Sequence, residues 1–413
     1  MIATAVIVAH GKLKVSPLTP LGGLSLLQRA VLTAQKAGVT TCYMIVAQGE
    51  EALCAELSKD KRVTAQVVWI PAGSRIEVRE ETSGEHFCVV FATDTIFRPS
   101  FFLALVGHAT PGSRVVITDT NGVPAAALIP VVQQSTAIAH FAQGKSFSDL
   151  ATLLNETRRE TITQPGGFFY RVPTRSAVAE AERALLRSLE NPRDGFVDTH
   201  FNRKLSRLLS RWLLRTPLSP NQVTLLACLF GLLGALCFFP GGYWGPLCGA
   251  LLLQFSAILD CCDGEIARVK FMESPLGGWL DIICDTIVHL AIFLGIGVAV
   301  WRDEASHHAL MLAGMLALGG VLAFPLVTLA EKTEEMGEQR NGWEDGRIKK
   351  LLAALATRDF SVLIVTSAVL GKLGWFLWGA AIGAHIFWLV LAWLLFRAGR
   401  FTRFRSAWEK KET

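Results

Sequence analysis

The chain has 413 residues, enough for more than one domain; 51% of them are hydrophobic and only 18% charged. A net charge of +5 is too mild to point to nucleic acid as a partner. The apolar residues are unevenly spread. Residues 1–200 read as an ordinary globular mixture, whereas 220–396 hold several long, nearly uncharged runs. A run of about 20 apolar residues spans the hydrocarbon core of a bilayer.

The opening stretch, MIATAVIVAHGKLKVSPL, lacks a basic n-region, and its apolar run is too short for a cleavable signal. The first domain, taken as 1–195, is therefore expected to stay on the side of the membrane where it is made. TAVIVAH, CYMIVAQ, AQVVWIP, HFCVVFATD and RVVITDT read as strands, with LSLLQRAVLTAQKAG and EEALCAELSKD as helices between them. That alternation predicts a Rossmann-like α/β domain with a mostly parallel sheet. Function in such sheets gathers at the carboxyl edges of the strands, where Asp94 and Asp119 stand.

Residues 196–218 contain DTHFNRKLSRLLSRWLLR from Asp198 to Arg215. Phe201, Leu205, Leu208, Leu209 and Trp212 form one apolar stripe, and Arg203, Lys204, Arg207, Arg211 and Arg215 lie largely off it. This pattern predicts an interfacial helix lying along an anionic leaflet. Six transmembrane helices are expected next, at 221–239, 244–262, 278–300, 309–329, 360–378 and 380–396, within a domain taken as 219–400. A basic tail, 401–413, follows. Arg268 and Lys270, the 331–358 loop and the tail are rich in Lys and Arg, while the opposite loops carry almost none. The positive-inside rule then places both termini and the first domain in the cytoplasm of a multi-pass protein, expected in the plasma (inner) membrane. The nine cysteines form no C-x-x-C pair and are expected to stay reduced.

The stretch DCCDGEIARVKFMESPLGGWLDIICD interrupts this apolar half with four aspartates. Asp260 and Asp263 are three apart, and Asp281 and Asp285 four apart, so each pair shares a helix face. The pairs flank a short cytoplasmic turn, which allows all four carboxylates to converge. Unneutralised, they would repel one another. Hard oxygen ligands suit Mg²⁺, Mn²⁺ or Ca²⁺, and four carboxylates suit two ions. Gly264 and Ala267 follow Asp263, and Gly277 and Gly278 precede Asp281; small residues there leave room for a bulky ligand or for helix packing. Intramembrane carboxylates also mark cation transporters, but no internal repeat accompanies these.

Asp260-x2-Asp263-Gly264-x2-Ala267-Arg268-x8-Gly277-x3-Asp281-x3-Asp285 resembles, at every fixed position, the motif of the CDP-alcohol phosphotransferase family. The resemblance implies cleavage of a CDP-alcohol, transfer of its phosphoryl-alcohol part to a second alcohol, and release of CMP. It implies that Asp260, Asp263, Asp281 and Asp285 hold two divalent metals, Mg²⁺ first and Mn²⁺ as the alternative, with Asp285 also acting as base. It implies a cytidine nucleotide pocket lined by Gly264, Ala267, Arg268 and Gly277. TPLSPNQVT is similar to the family's entry to the first span, which adds Asn221 and Thr224 to that pocket. The family's tendency to dimerise implies a homodimer in the bilayer.

The order of the halves is similar to that of the fused inositol-1-phosphate cytidylyltransferase and di-myo-inositol phosphate phosphate synthase enzymes. A phospholipid synthase of the phosphatidylinositol-phosphate type, using CDP-diacylglycerol, is the alternative. LTPLGGLSLLQRAVLTAQKAGV and FATDTIF resemble nucleotidyltransferase segments, and Asp94 would be the metal-binding aspartate there. The loop AHGKLKVSPLTPLGG departs from that pattern. Only Gly11 stands where G-x-G-x-R is expected, with Lys12 and Lys14 nearby and no arginine. The first domain is thus nucleotidyltransferase-like but degenerate, its cytidylyltransferase activity left open. For a phosphorylated acceptor, Lys270, Lys332, Lys349, Lys350 and Arg358 are the basic candidates, each also explicable by the positive-inside rule. His289, one turn beyond Asp285, is expected to be a packed helix histidine.

Overall fold

The computed structural model describes residues 2–10, 13, 15–74, 86–108, 114–118, 124–147, 149–150, 159–162, 167–189, 201–335 and 359–397. The chain divides into two compact units, one built on Met1–Leu189 and the other on Glu190–Arg268 and Met272–Thr413.

The first unit runs β1 (Ile2–Val8), β2 (Pro20–Leu21), β3 (Leu24–Ser25), α1 (Leu26–Lys36), β4 (Thr41–Val46), α2 (Glu51–Ser58), β5 (Gln66–Pro71) and β6 (Phe87–Ala92). It continues with β7 (Thr95–Phe97), α3 (Pro99–His108), β8 (Arg114–Thr118), β9 (Pro124–Pro130), α4 (Gln134–Ala142), β10 (Arg159–Ile162), β11 (Phe169–Arg171) and α5 (Val178–Arg187). Seven strands form one sheet in the order β10-β8-β9-β6-β1-β4-β5. All five strands expected from β-rich runs are present. The pleat sends alternate residues to opposite faces. Ile7 and Phe91 join Leu27, Val31, Phe101 and Phe102 of α1 and α3 on one side. Val6, Val8 and Val90 join Ile138 and Phe141 of α4 on the other.

Strand β9 was not expected, and it makes the sheet mixed, since it runs antiparallel to both β6 and β8. Its sequence, PAAALIP, is alanine-rich and bounded by prolines, so propensity gives no strand signal. Pairing on both sides makes the strand. The carboxyl ends of β1 and β6, which are parallel neighbours, lie where the chain has turned both ways from β1, toward β4 on one side and β6 on the other. That is the switch point of this sheet.

The second unit is helical: α6 (Arg203–Leu213), α7 (Pro220–Phe238), α8 (Trp244–Val269), α9 (Pro275–Glu304), α10 (His308–Glu335), α11 (Asp359–Val369) and α12 (Leu373–Arg397). Two Ser-Pro dipeptides start α7 and α9. In each the serine caps the helix and proline takes the first helical position, where no N–H is needed. Ser219 and Gln222 complete a reciprocal capping box on α7. Among the described residues, five helices, α7 to α10 and α12, are long and apolar enough to cross a membrane. Leu225, Leu229, Leu233 and Leu236 on α7, and Ile283, Ile287 and Leu294 on α9, are exposed, which marks the faces meant for lipid.

The first four expected spans match α7 to α10. The last two require correction. A break near Gly379 was expected, but Gly379 lies inside α12, and the chain turns at Leu370–Lys372 instead. Gly371 has φ +63°, and Lys372 N–H donates to Ser367 O at 2.8 Å, the six-to-one bond of a Schellman cap. Described residues of α11 thus supply only the short apolar helix Phe360–Val369, which is below spanning length on its own.

Close approach of α7 and α8 depends on glycine. A Cβ at Gly249 would sit 2.7 Å from Gly234 O and from the Phe238 ring, and backbone cannot yield there. Gly249→Val should lower stability by about 1–3 kcal/mol, read as a fall in thermal midpoint in detergent. Gly383→Ala, where a Cβ meets nothing within 4 Å, should leave that midpoint unchanged.

Candidate active site

Asp260 and Asp263 project from α8, and Asp281 and Asp285 from α9. Their three- and four-residue spacings put each pair on one helical face, and the fold turns the two faces together. Asp260, Asp281 and Asp285 each offer a carboxylate oxygen, and these oxygens all lie within 4.8 Å of one another. Asp263 is not in that triad. Its Oδ2 accepts a hydrogen bond from Thr224 Oγ1 of α7, both residues being buried.

The cluster fits a divalent cation on two observations. Oxygens bound to one ion at about 2.1–2.5 Å fall within about 5 Å of each other, as these do. Asp281 Oδ1 is buried with no hydrogen-bond partner among the described residues, a condition that costs free energy unless something compensates it.

The residues expected around a nucleotide lie beside this cluster. Gly264 and Ala267 continue α8 past Asp263, and the Arg268 guanidinium folds back so that a Cβ on Gly264 would be 3.4 Å from its Nη2. Arg268 Nε is buried without a hydrogen-bond partner among the described residues. Gly277, in the first turn of α9, comes so close to the start of α7 that its Cβ would sit 3.0 Å from Asn221 Oδ1. Asn221 is exposed and Thr224, one turn on, is buried. Lys270 stands in the turn between α8 and α9. Lys332 belongs to α10. Lys349, Lys350 and Arg358 lie outside the described residues. His289 packs against the rings of Phe293 and Phe360, at 6.2 and 5.2 Å between centroids, as a packed helix histidine should.

Glu265 was missed by sequence reasoning. It is among the most buried charged residues (1% exposed), accepts a hydrogen bond from Ser206 Oγ at 2.8 Å and pairs with Arg203 at 3.3 Å. A second polar chain joins the start of α6 to α8 and α8 to α11: Gln254 Nε2 donates to Asn202 Oδ1 at 2.6 Å, and Ser361 Oγ donates to Gln254 Oε1 at 2.9 Å. The signal was present. Asn202, Ser206 and Ser210 recur every four residues opposite the apolar stripe of α6, and all three are buried. The stripe itself, Phe201, Leu205, Leu208 and Trp212, is exposed. The helix is inverted relative to one in a soluble protein, with its polar edge inward.

In the first unit Asp94 stands just past β6, at the switch point, and is buried. Its Oδ2 is paired with Arg171 Nε at 3.6 Å and its Oδ1 accepts from Thr95 Oγ1 at 3.2 Å. Burial pushes its carboxyl above the ordinary range, and Arg171 pulls partly against that. Thr93 Oγ1, adjacent in the chain, and His10 Nε2, just past β1, are buried without hydrogen bonds among the described residues. Asp119, Gly11, Lys12 and Lys14 lie outside the described residues.

Among the described residues, five helices of membrane-crossing length mark an integral membrane protein, and two of them share an acidic cluster with the spacing to hold a cation. Residues 217–396 match the family model described as CDP-alcohol phosphatidyltransferase, which covers less than half of the chain. Two relatives named "Bifunctional IPC transferase and DIPP synthase" are similar to the chain. The one from Archaeoglobus fulgidus is 41% identical over 158 residues, 38% of this chain and 31% of that protein. The one from Aquifex aeolicus is 35% identical over 131 residues, 31% of this chain and 29% of that protein. A "Phosphatidylinositol phosphate synthase" from Mycolicibacterium smegmatis is 36% identical over 95 residues, 22% of this chain and 41% of that protein. The matches to the first two span about a third of those relatives' own length.

Arg171→Ala should leave the Asp94 carboxylate buried with less compensation and cost about 1–3 kcal/mol at neutral pH. Because the folded-state pKa of Asp94 is raised, its contribution to stability should be lost as pH rises from the ordinary carboxylate range through the raised value. Asp94→Asn should remove that slope, measured by denaturation of the full chain across pH 4–8.

Proposed function

We propose that the protein transfers a substituted phosphoryl group from a CDP-alcohol to the hydroxyl of a second alcohol and releases CMP. The observation that carries this reading is the triad of Asp260, Asp281 and Asp285 oxygens within 4.8 Å, inside the segment that matches the family model. Asp260, Asp263, Asp281 and Asp285 would hold two divalent ions, Mg²⁺ before Mn²⁺. Bound there, the ions would neutralise charge on the pyrophosphate oxygens and on the departing CMP. Asp285 takes the proton of the acceptor hydroxyl, a poor nucleophile until a positioned carboxylate does so. Gly264, Ala267 and Gly277 leave space for the nucleotide, and Arg268 and Asn221 reach toward it. Thr224 holds Asp263 in one orientation through its hydrogen bond.

The acceptor belongs, in this reading, to the phosphorylated inositols, because the layout of the chain and the names of both kinds of relative point that way. Both termini and the site face the cytoplasm of the plasma membrane, where the basic loops lie, and the chain works as a homodimer. For the first unit, partner binding or substrate positioning is favoured over cytidylyl transfer, because the loop after β1 has one glycine and Asp94 is already ion-paired with Arg171.

Purified protein supplied separately with CDP-inositol, CDP-diacylglycerol and CDP-glycerol, each with inositol phosphate, should release CMP with one donor, and mass spectrometry of the product names it. Cation flux without CMP release would replace this reading by transport. Asp285→Asn should abolish transfer, a loss of at least about 100-fold, while CDP-alcohol still binds. The full-length chain incubated with CTP and inositol phosphate should release no pyrophosphate.

A further inference from the structure

The two polar contacts between α6 and α8 bracket the carboxylate-bearing turns. Gln254 and Glu265 are eleven residues apart, about three helical turns, and so share one face of α8. Asp260 and Asp263 lie between them along the axis and on the far side of the helix. Gln254 is bound to Asn202, the N-cap residue of α6, and Glu265 to Ser206 and Arg203 within α6. Asn202, Ser206, Gln254 and Glu265 are each buried, so water cannot replace these bonds if the helices slip. A rotation of α8 by one residue would carry Asp260 out of the triad and break both latches together.

We propose that α6 is a clamp for the active site and that Glu265, which touches no reacting atom in the reading above, is its positioning residue. This inference rests on the reading of the carboxylates as a cation site. The close approach of Gly249 to α7 and the bond from Ser256 Oγ to Ala227 O at 2.7 Å hold the part of α8 that precedes Asp260, and the carboxylate-bearing part needs restraints of its own. The Thr224–Asp263 bond restrains it from the α7 side, and the Glu265 latch restrains it from the opposite one. Residues that orient ligands without binding the ion typically cost about 10–100-fold in metal affinity when removed.

The test is Mn²⁺ titration of the full chain in lipid nanodiscs, followed by electron paramagnetic resonance, with thermal unfolding measured on the same samples. Glu265→Ala and Arg203→Ala should each weaken Mn²⁺ binding about tenfold. Glu265→Gln, which keeps an acceptor for Ser206, should weaken it less, and the charge-swapped pair Arg203→Glu with Glu265→Arg should recover part of the loss. Wild-type Mn²⁺ affinity in folded Glu265→Ala or, should that variant not fold, in Arg203→Ala, overturns the clamp. A lowered thermal midpoint with unchanged Mn²⁺ affinity makes Glu265 structural only and likewise overturns it. Unchanged affinity in Asp281→Asn would instead remove the cation site itself, so the two failures are told apart.

Discussion

Mutual repulsion among carboxylates held in apolar surroundings is the constraint on which the helical unit depends. Three carboxylate oxygens from α8 and α9 lie within 4.8 Å, at the ends of helices whose outer faces are made for lipid. Such a cluster persists only when charge is compensated and each oxygen is held. Most features around it serve one of those ends. The Ser-Pro caps fix where α7 and α9 begin, and glycines at Gly249 and Gly277 let the helices approach. Thr224 takes the one aspartate that stands outside the triad.

The short helix α6 shows how the same forces act outside the span. Its apolar stripe is exposed and its polar stripe buried, the reverse of a helix in a soluble protein. Such an arrangement would be stable in lipid, where a bilayer accepts leucine and tryptophan while serine, asparagine and arginine find partners on α8. The interfacial location expected from the sequence and the tertiary docking are therefore compatible. They use opposite faces.

In the first unit the sheet has an α/β layout with a switch point, and His10 follows β1 while Thr93 and Asp94 follow β6, its parallel neighbour. Asp94 is nevertheless engaged by Arg171 from β11. A carboxylate held in this way is a weaker candidate for a cation than Asp281, whose Oδ1 has no hydrogen-bond partner among the described residues, and this difference is what separates the two acidic positions chemically.

Much of the architecture was legible before any coordinates. Period-two apolar runs gave five of the seven sheet strands, because a buried strand needs little beyond its own pattern. Long uncharged runs located α7 to α10, because the bilayer sets their length. The three- and four-residue aspartate spacings placed each pair on one helix face, a property of a single helix. PAAALIP became a strand only through neighbours on both sides, and the α11–α12 break fell at Gly371 rather than Gly379 because of a cap that hydropathy does not register. The convergence of Asp260 with Asp281 and Asp285, the diversion of Asp263 to Thr224 and the burial of Glu265 against Arg203 and Ser206 each join residues from different helices. Sequence determined which side chains share a face; only the packing of one helix on another decided which faces meet.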